Sequence, residues 1–381
     1  MSKLLDENSI PSTKTELDLF TVPPTQVAIR RSFWSEVQLQ NPCTNEGPYE
    51  FKISPDIGDK YAYRAMLETE LNFGRDAKKT QLQASLYYPD IETEGDQISK
   101  GYLSRLLRFK NSTWVEIMAP LHIDLFMQER FLINQCELRI ELYRNSDEFC
   151  LIQADNCPNL KYKLEIKQLS LFMKKVEVSD SISMAIESML QTTSVKYPLR
   201  RTQITTLHVT ENRRSTPLNS LFSGVLPRRL VIGMVAAHAA RGTYTSNPFM
   251  FHDFGIAEIK VVSGTNVVPS SPYKLDFEKN QLTRAFIQMF EGLDIAGDDK
   301  GNMISFDRFA KGGCTFFVFE LGADGTVDSS TWELVRDGTT TLEMHFGKDL
   351  PGGGIECIIY AEFDSLLMID HTRQAYMDFT V

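Results

Sequence analysis

The sequence has no long apolar run. Its longest, from Leu230 to Ala240, includes His238 and falls well short of the ~20 residues that a bilayer-spanning helix needs. The opening residues, MSKLLDENSIPS, contain no apolar core of signal-peptide length, so an intracellular, unsecreted product is expected. Cysteine is scarce. Cys43, Cys136, Cys150, Cys157, Cys314 and Cys357 include no pair at the two-residue spacing of zinc or redox motifs. Six in 381 residues are too few for a disulfide scaffold, and they read as reduced, mostly buried apolar groups. Basic charge is also in deficit: 40 Lys and Arg face 50 Asp and Glu, for a net −10. A chain whose main work is neutralising phosphates needs the opposite balance.

Catalytic signatures are missing as well. There is no phosphate-binding Gly-x-x-x-x-Gly-Lys-[Ser/Thr], no Gly-x-Ser-x-Gly and no His-Glu-x-x-His. Gly352-Gly353-Gly354 lacks the strand-then-helix setting of a phosphate cradle and reads as a hairpin tip. The six histidines are dispersed. His122-Ile123-Asp124 could set two ligands on one strand face, but no third stands nearby. His371 beside Asp370 reads as solvated. Asp294, Asp298 and Asp299 fail the calcium-loop pattern and read as a polar loop. No enzyme activity, cofactor or metal is expected.

What is abundant is strand signal. Phe (24) and Tyr (13) are numerous, and aromatic residues suit strands. Cys136 to Leu142 alternates apolar and charged, as a strand with one wet face does. Lys161 to Ile166 repeats this, and a phase slip near Gln168 predicts a bulge or turn. Further strands are predicted at Thr202–Val209, Leu226–Val235, Ile256–Val262, Cys314–Leu321, around Leu342–Phe346, and at Ile355–Phe363. Gln374–Thr380 should pair with that last strand or with Leu366–Ile369. Helical signals are few: Ser181–Leu190, capped by Ser179 or Asp180, then Arg64–Leu71 and Thr283–Phe290. Such a pattern points to sandwiches or jelly rolls. The length favours two domains, divided near Lys196-Tyr197-Pro198.

Against the acidic background, Lys196, Arg200, Arg201, Arg213, Arg214, Arg228 and Arg229 cluster with only Glu211 among them. A nucleic-acid or acidic-partner face is one reading. The stronger is ion pairing across a domain or subunit junction, because no aromatic stacking platform accompanies these arginines. Pro227 suits the start of a strand, which places Arg228 and Arg229 at the mouth of a buried one. Arg200, Arg201, Arg228 and Arg229 are the candidate junction or interface residues.

Seven segments occur in an order that identifies a resemblance. They are Thr15–Gln26, Tyr61–Gly74, Phe126–Leu142, Lys196–Arg201, Leu221–Val235, Asn247–Val261 and Tyr360–Asp370. Together they resemble the hexon-like major capsid proteins of Polinton (Maverick) elements and adintoviruses. The resemblance implies an all-β tandem double jelly roll: an arm over 1–30, a first jelly roll over 31–195 and a second over 196–381. It implies a homotrimer of pseudo-hexagonal outline that tiles a virion capsid, with a minor capsid (penton) protein as a further partner. Neither a specific nucleic-acid site nor a membrane span is expected. The family places several strands between the segments matched by Gly47–Phe51 and Tyr61–Ala65. Here only Lys52 to Lys60 joins them, too short for an ordinary hairpin. The first jelly roll is therefore expected to be incomplete, as in an incompletely assembled gene, an endogenous relic or a product reused by a host. The alternative function is a host-adopted β-sandwich that binds a protein or glycan.

Overall fold

The computed structural model describes residues 2–3, 29–39, 49–51, 60–90, 99–153, 161–216, 220–297, 299–322, 332 and 334–378. Cys43, Cys157, Asp298, the Thr15–Gln26 segment and residues 52–59 lie outside them. The first half contains strands β1 (Ser2–Lys3), β2 (Ile29–Gln38), β3 (Tyr49–Phe51), β4 (Ile140–Leu142) and β5 (Ser170–Val178). Its helices are α1 (Tyr61–Asn72), α2 (Arg75–Lys79), α3 (Lys100–Arg108), α4 (Asp147–Cys150) and α5 (Asp180–Leu190). The second half contains β6 (Val195–Val209), β7 (Ser220–Val225), β8 (Arg229–Ala236), β9 (Ile256–Ser263), β10 (Asn266–Lys274), β11 (Phe316–Glu320), β12 (Val335–Phe346), β13 (Ile355–Ile369) and β14 (Ala375–Asp378). Short helices α6 (Ala237–Ala240), α7 (Thr283–Glu291) and α8 (Phe306–Ala310) connect them.

The second half is a sandwich of two five-stranded antiparallel sheets. In one, β12 is central, with β9 and then β10 on one side and β7 on the other, and β1 of the first half pairs with the start of β12. In the other, β13 is central, with β6 along its whole length on one side, β8 and β14 sharing the other side, and β11 outside β8. Burial on both faces explains why β8 reads as a continuous apolar run: every residue from Arg229 to Val235 is buried. Ring contacts across the sandwich include Phe222 on Phe363 at 5.6 Å and Tyr273 on Phe319 at 5.9 Å. Gly264, at φ +61°, makes the turn from β9 to β10. The Asp370 carboxylate accepts the N–H groups of Thr372 and Gln374, which closes the turn into β14.

The first half builds much less sheet. Among the described residues it contributes two two-stranded pairs, β2 with β5 and β3 with β4, besides β1 on the sheet of β12; residues 52–59, on which the expected incompleteness of the first jelly roll rests, lie outside the described residues. Two predicted strands are corrected here. Cys136–Leu142 forms a strand only over Ile140–Leu142, where β3 supplies a partner. Lys161–Ile166 forms none, and the strand begins at Ser170 instead of continuing through a bulge. Alternation selects faces, but a strand exists only where another edge accepts its backbone hydrogen bonds. The predicted helices are present at α1, α5 and α7.

A second, smaller core joins the halves. Ile123, Leu125 and Ile140 pack with Tyr197 and Leu199 of β6 and with Leu367 and Ile369 of β13. Lys196-Tyr197-Pro198 therefore lies at the start of β6, paired with Leu366–Met368 of β13, where Tyr197 enters this core.

Candidate functional site

Helix α1 is wedged between the halves and carries two acidic residues two positions apart. At ~100° per residue, Glu68 and Glu70 point to nearly opposite sides. Both are buried, at 5% and 1% exposure. Buried carboxylates must be paired, and each has its own set of partners.

On the Glu68 side, Arg64 Nε lies 2.9 Å from Oε1 and His122 Nδ1 lies 2.6 Å from Oε2. Arg64 Nη2 also reaches Asp124 at 2.7 Å, and Asp124 accepts the Thr202 N–H of β6 at 3.2 Å. Tyr360 O–H of β13 is placed between Glu68, at 3.2 Å, and Glu362, at 3.0 Å. Glu362 holds Arg229 at 2.5 Å, with Arg200 at 3.9 Å. Arg228 reaches Asp364 at 3.4 Å, and Arg201 lies 4.5 Å over the Phe363 ring. All four sequence-predicted arginines thus converge on Glu362-Phe363-Asp364. Register explains it: Arg200 and Arg201 of β6 lie opposite Asp364 and Phe363, and Arg229 of β8 lies opposite Glu362.

On the Glu70 side, Arg308 of α8 meets the carboxylate with two parallel bonds, at 3.0 and 3.1 Å. Such bidentate pairs are strong and directional. Lys78 Nζ lies 3.0 Å from Glu70 Oε2 and 2.6 Å from the Asn302 carbonyl oxygen. Tyr87 O–H donates to Glu70 Oε1 at 2.7 Å.

The protonation states follow from these contacts. Burial alone would raise the pKa of Glu68, but the His122 hydrogen bond and the Arg64 charge outweigh it and hold the carboxyl below its ordinary range. Burial opposes ionisation of Glu70 too, and Lys78 and Arg308 overcome it. For Asp124 burial wins over Arg64, and the carboxyl titrates above its usual value. Burial depresses the Lys78 ammonium despite Glu70.

His122 and Asp124, weighed above as two metal ligands, are each spent on α1. Among the described residues, no group of three or more His, Cys, Asp and Glu is arranged to hold a metal ion. Lys196 and Arg214 stand apart from the cluster: the Lys196 carbonyl accepts from Arg130, and Arg214 makes an exposed pair with Asp349 at 3.0 Å. A cavity of about 490 Å³ opens beside the start of α1, lined by Lys60, Tyr63, Arg144, Phe149 and Glu356 among others. Cys314 and Cys357 are buried, whereas Cys150 is exposed. Sequence reasoning did not find Glu68, Glu70, Lys78, Arg308, Tyr360 or Glu362. The one local signal was the Arg64–Glu68 spacing of an i,i+4 pair.

The surface is as uneven as the sheets. Among the described residues, every strongly exposed large apolar side chain except Val267, Ile287, Leu334 and Tyr376 lies before residue 191. Trp34 is 68% exposed and Trp114 77%.

No protein-family model matches the chain. It is 31% identical over 320 residues to a Caenorhabditis elegans protein, Uncharacterized protein F54H12.2, with 84% of this chain and 75% of that one covered. The chain belongs to the family of that nematode protein. Among solved structures, a chain of the Sputnik virophage particle superposes with a TM-score of 0.56 at 10% identity, covering 100% of this chain and 95% of its own. A chain of the PBCV-1 virus capsid gives a TM-score of 0.49 at 10% identity, covering 95% of this chain and all of its own. The Sputnik likeness concerns the fold, which is a tandem double jelly roll. Among the described residues, no helix is long and apolar enough to cross a membrane.

Proposed function

We propose that the protein is a hexon-like major capsid protein of a Polinton- or adintovirus-type DNA element, carried as an endogenous copy in an animal genome. It associates with itself as a homotrimer, builds a shell and carries no catalytic activity; a penton-type protein is its further partner. The observation that carries this reading is the end-to-end likeness to the Sputnik particle chain, across both halves. Three others support it. The ordered segments Tyr61–Gly74 to Tyr360–Asp370 resemble that capsid family. The titratable cluster at the junction is buried and used up in internal pairing, which suits a scaffold rather than a reaction centre. The apolar side chains of the first half suit an obligate interface. A nematode relative supports residence in animal genomes.

The test is the state of the purified protein. Light scattering should give a mass of three chains, and electron microscopy should show trimers or larger shells. A monomer at every concentration overturns assembly. A monomer that binds glycans saturably on an array would instead support the host-adopted binding module.

A further inference from the structure

Between Leu106 and Pro120 every residue except Val115 is exposed. The run continues α3, whose Leu103, Leu106 and Leu107 stand at helical spacing on one stripe, and it ends with Trp114, Ile117 and Met118. Their exposures are 43, 51, 69, 77, 51 and 63%. Large apolar groups left this wet on one continuous piece of chain mark a surface that something covers. The segment is anchored, not adrift: Ser99 caps α3 by accepting the Tyr102 N–H, Arg105 is held by Asp90, and the Met118 N–H donates to the Ala84 carbonyl oxygen at 3.0 Å.

The geometry points to a second copy of this chain as the occupant of the 103–118 face. Two observations select it. The first is charge. Across residues 103–118 three cations, Arg105, Arg108 and Lys110, face one carboxylate, Glu116, and Arg105 is already paired with Asp90. The chain's formal charge is −10 and this face contributes +2, which leaves −12 on the rest of every copy, so a second copy is of complementary net charge. The second is area. Half-exposed large side chains show on the order of 100 Å² each, so the six give about 600 Å². Together with the polar rim this approaches the ~800 Å² per partner of a standard stable interface. The inference rests on the self-assembling reading above and names the surface that does it.

The experiment compares the wild-type full chain with a Leu107→Asp/Trp114→Asp double variant and with Ile287→Asp, an exposed apolar position in the second half. Light scattering gives the mass, and circular dichroism checks that each variant is folded. Hydrogen exchange over 103–118 is followed in the wild type on dilution. The expected result is an oligomeric wild type, an unaffected Ile287→Asp control, and a folded double variant whose dissociation constant rises at least a hundredfold. Exchange over 103–118 should quicken as the wild type is diluted. An oligomeric double variant, with exchange independent of dilution, overturns this face while leaving the capsid reading intact. A wild type that is monomeric throughout overturns both. Co-sedimentation of monomeric wild type with phosphatidylserine-containing vesicles, lost in the double variant, overturns the second copy in favour of a lipid surface.

Discussion

Replacing Glu70 by Gln should be among the most damaging single changes in the molecule. The carboxylate is 1% exposed and faces two cations, Lys78 and Arg308, whose side chains are 0% and 3% exposed. Gln keeps the shape and some of the hydrogen bonding but leaves both cations uncompensated in the interior. Breaking a buried ion pair in this way costs about 3–5 kcal/mol. At ~2–4 °C per kcal/mol for a domain of this size, the midpoint of thermal unfolding should fall by about 6–20 °C. Urea titration followed by tryptophan fluorescence measures the loss directly. Lys78→Met keeps the bidentate Glu70–Arg308 pair and should lose less, about 1–3 kcal/mol. The pH dependence carries a further sign. Because the folded state holds the Glu70 pKa below its unfolded value, the stabilisation is fully present above the ordinary carboxylate range. It is lost as pH falls through the depressed value. The gap between wild type and Glu70→Gln should therefore narrow in acid. A Glu70→Gln loss under about 1 kcal/mol, or a larger loss in Lys78→Met, would refute the reasoning.

Other outcomes follow from the same structure. Arg229→Met removes the 2.5 Å partner of buried Glu362 and should cost about 3 kcal/mol in urea melts, whereas Arg214→Met, in an exposed pair, should change stability by less than ~1 kcal/mol. Gly233→Ala places a methyl group 2.5 Å from the Phe251 ring; overpacking of this kind should cost about 1–3 kcal/mol in the same assay. Iodoacetamide should label exposed Cys150 in the native protein. Buried Cys314, whose thiol burial pushes up to about 12, and buried Cys357 should react only after denaturation, as mass mapping of the labelled peptides will tell.

The two halves differ in how legible they were. In the second, apolar periodicity located the strands because the partners exist: β8, β9, β11 and β13 each lie where the pattern put them, and Ala375–Asp378 pairs with Leu366–Ile369 across the polar turn. In the first, the same alternation at Lys161–Ile166 met no partner edge, and pattern alone cannot report that. The arginine cluster was visible as charge, but its carboxylates were not. Glu362 and Asp364 sit more than 130 residues away in β13, and only the pairing of β13 with β6 and β8 brings them to Arg228, Arg229 and Arg200. Glu68 and Glu70 were hidden for a related reason. Burial on two sides of a helix depends on the two surfaces that enclose it, and both come from elsewhere in the chain.

The separation between Glu70 and Arg308, 238 residues, bears on how the protein is made. At roughly 5–20 residues per second on the ribosome, α1 emerges about 10–50 seconds before its bidentate partner exists. β6 waits similarly for β13, its mate along the full ladder. The first half therefore leaves the ribosome with Glu70 still lacking its bidentate partner, and β6 follows it with a long strand edge that nothing yet pairs. During that interval it is a client for chaperones, and a translation product cut short before Arg308 would remain one.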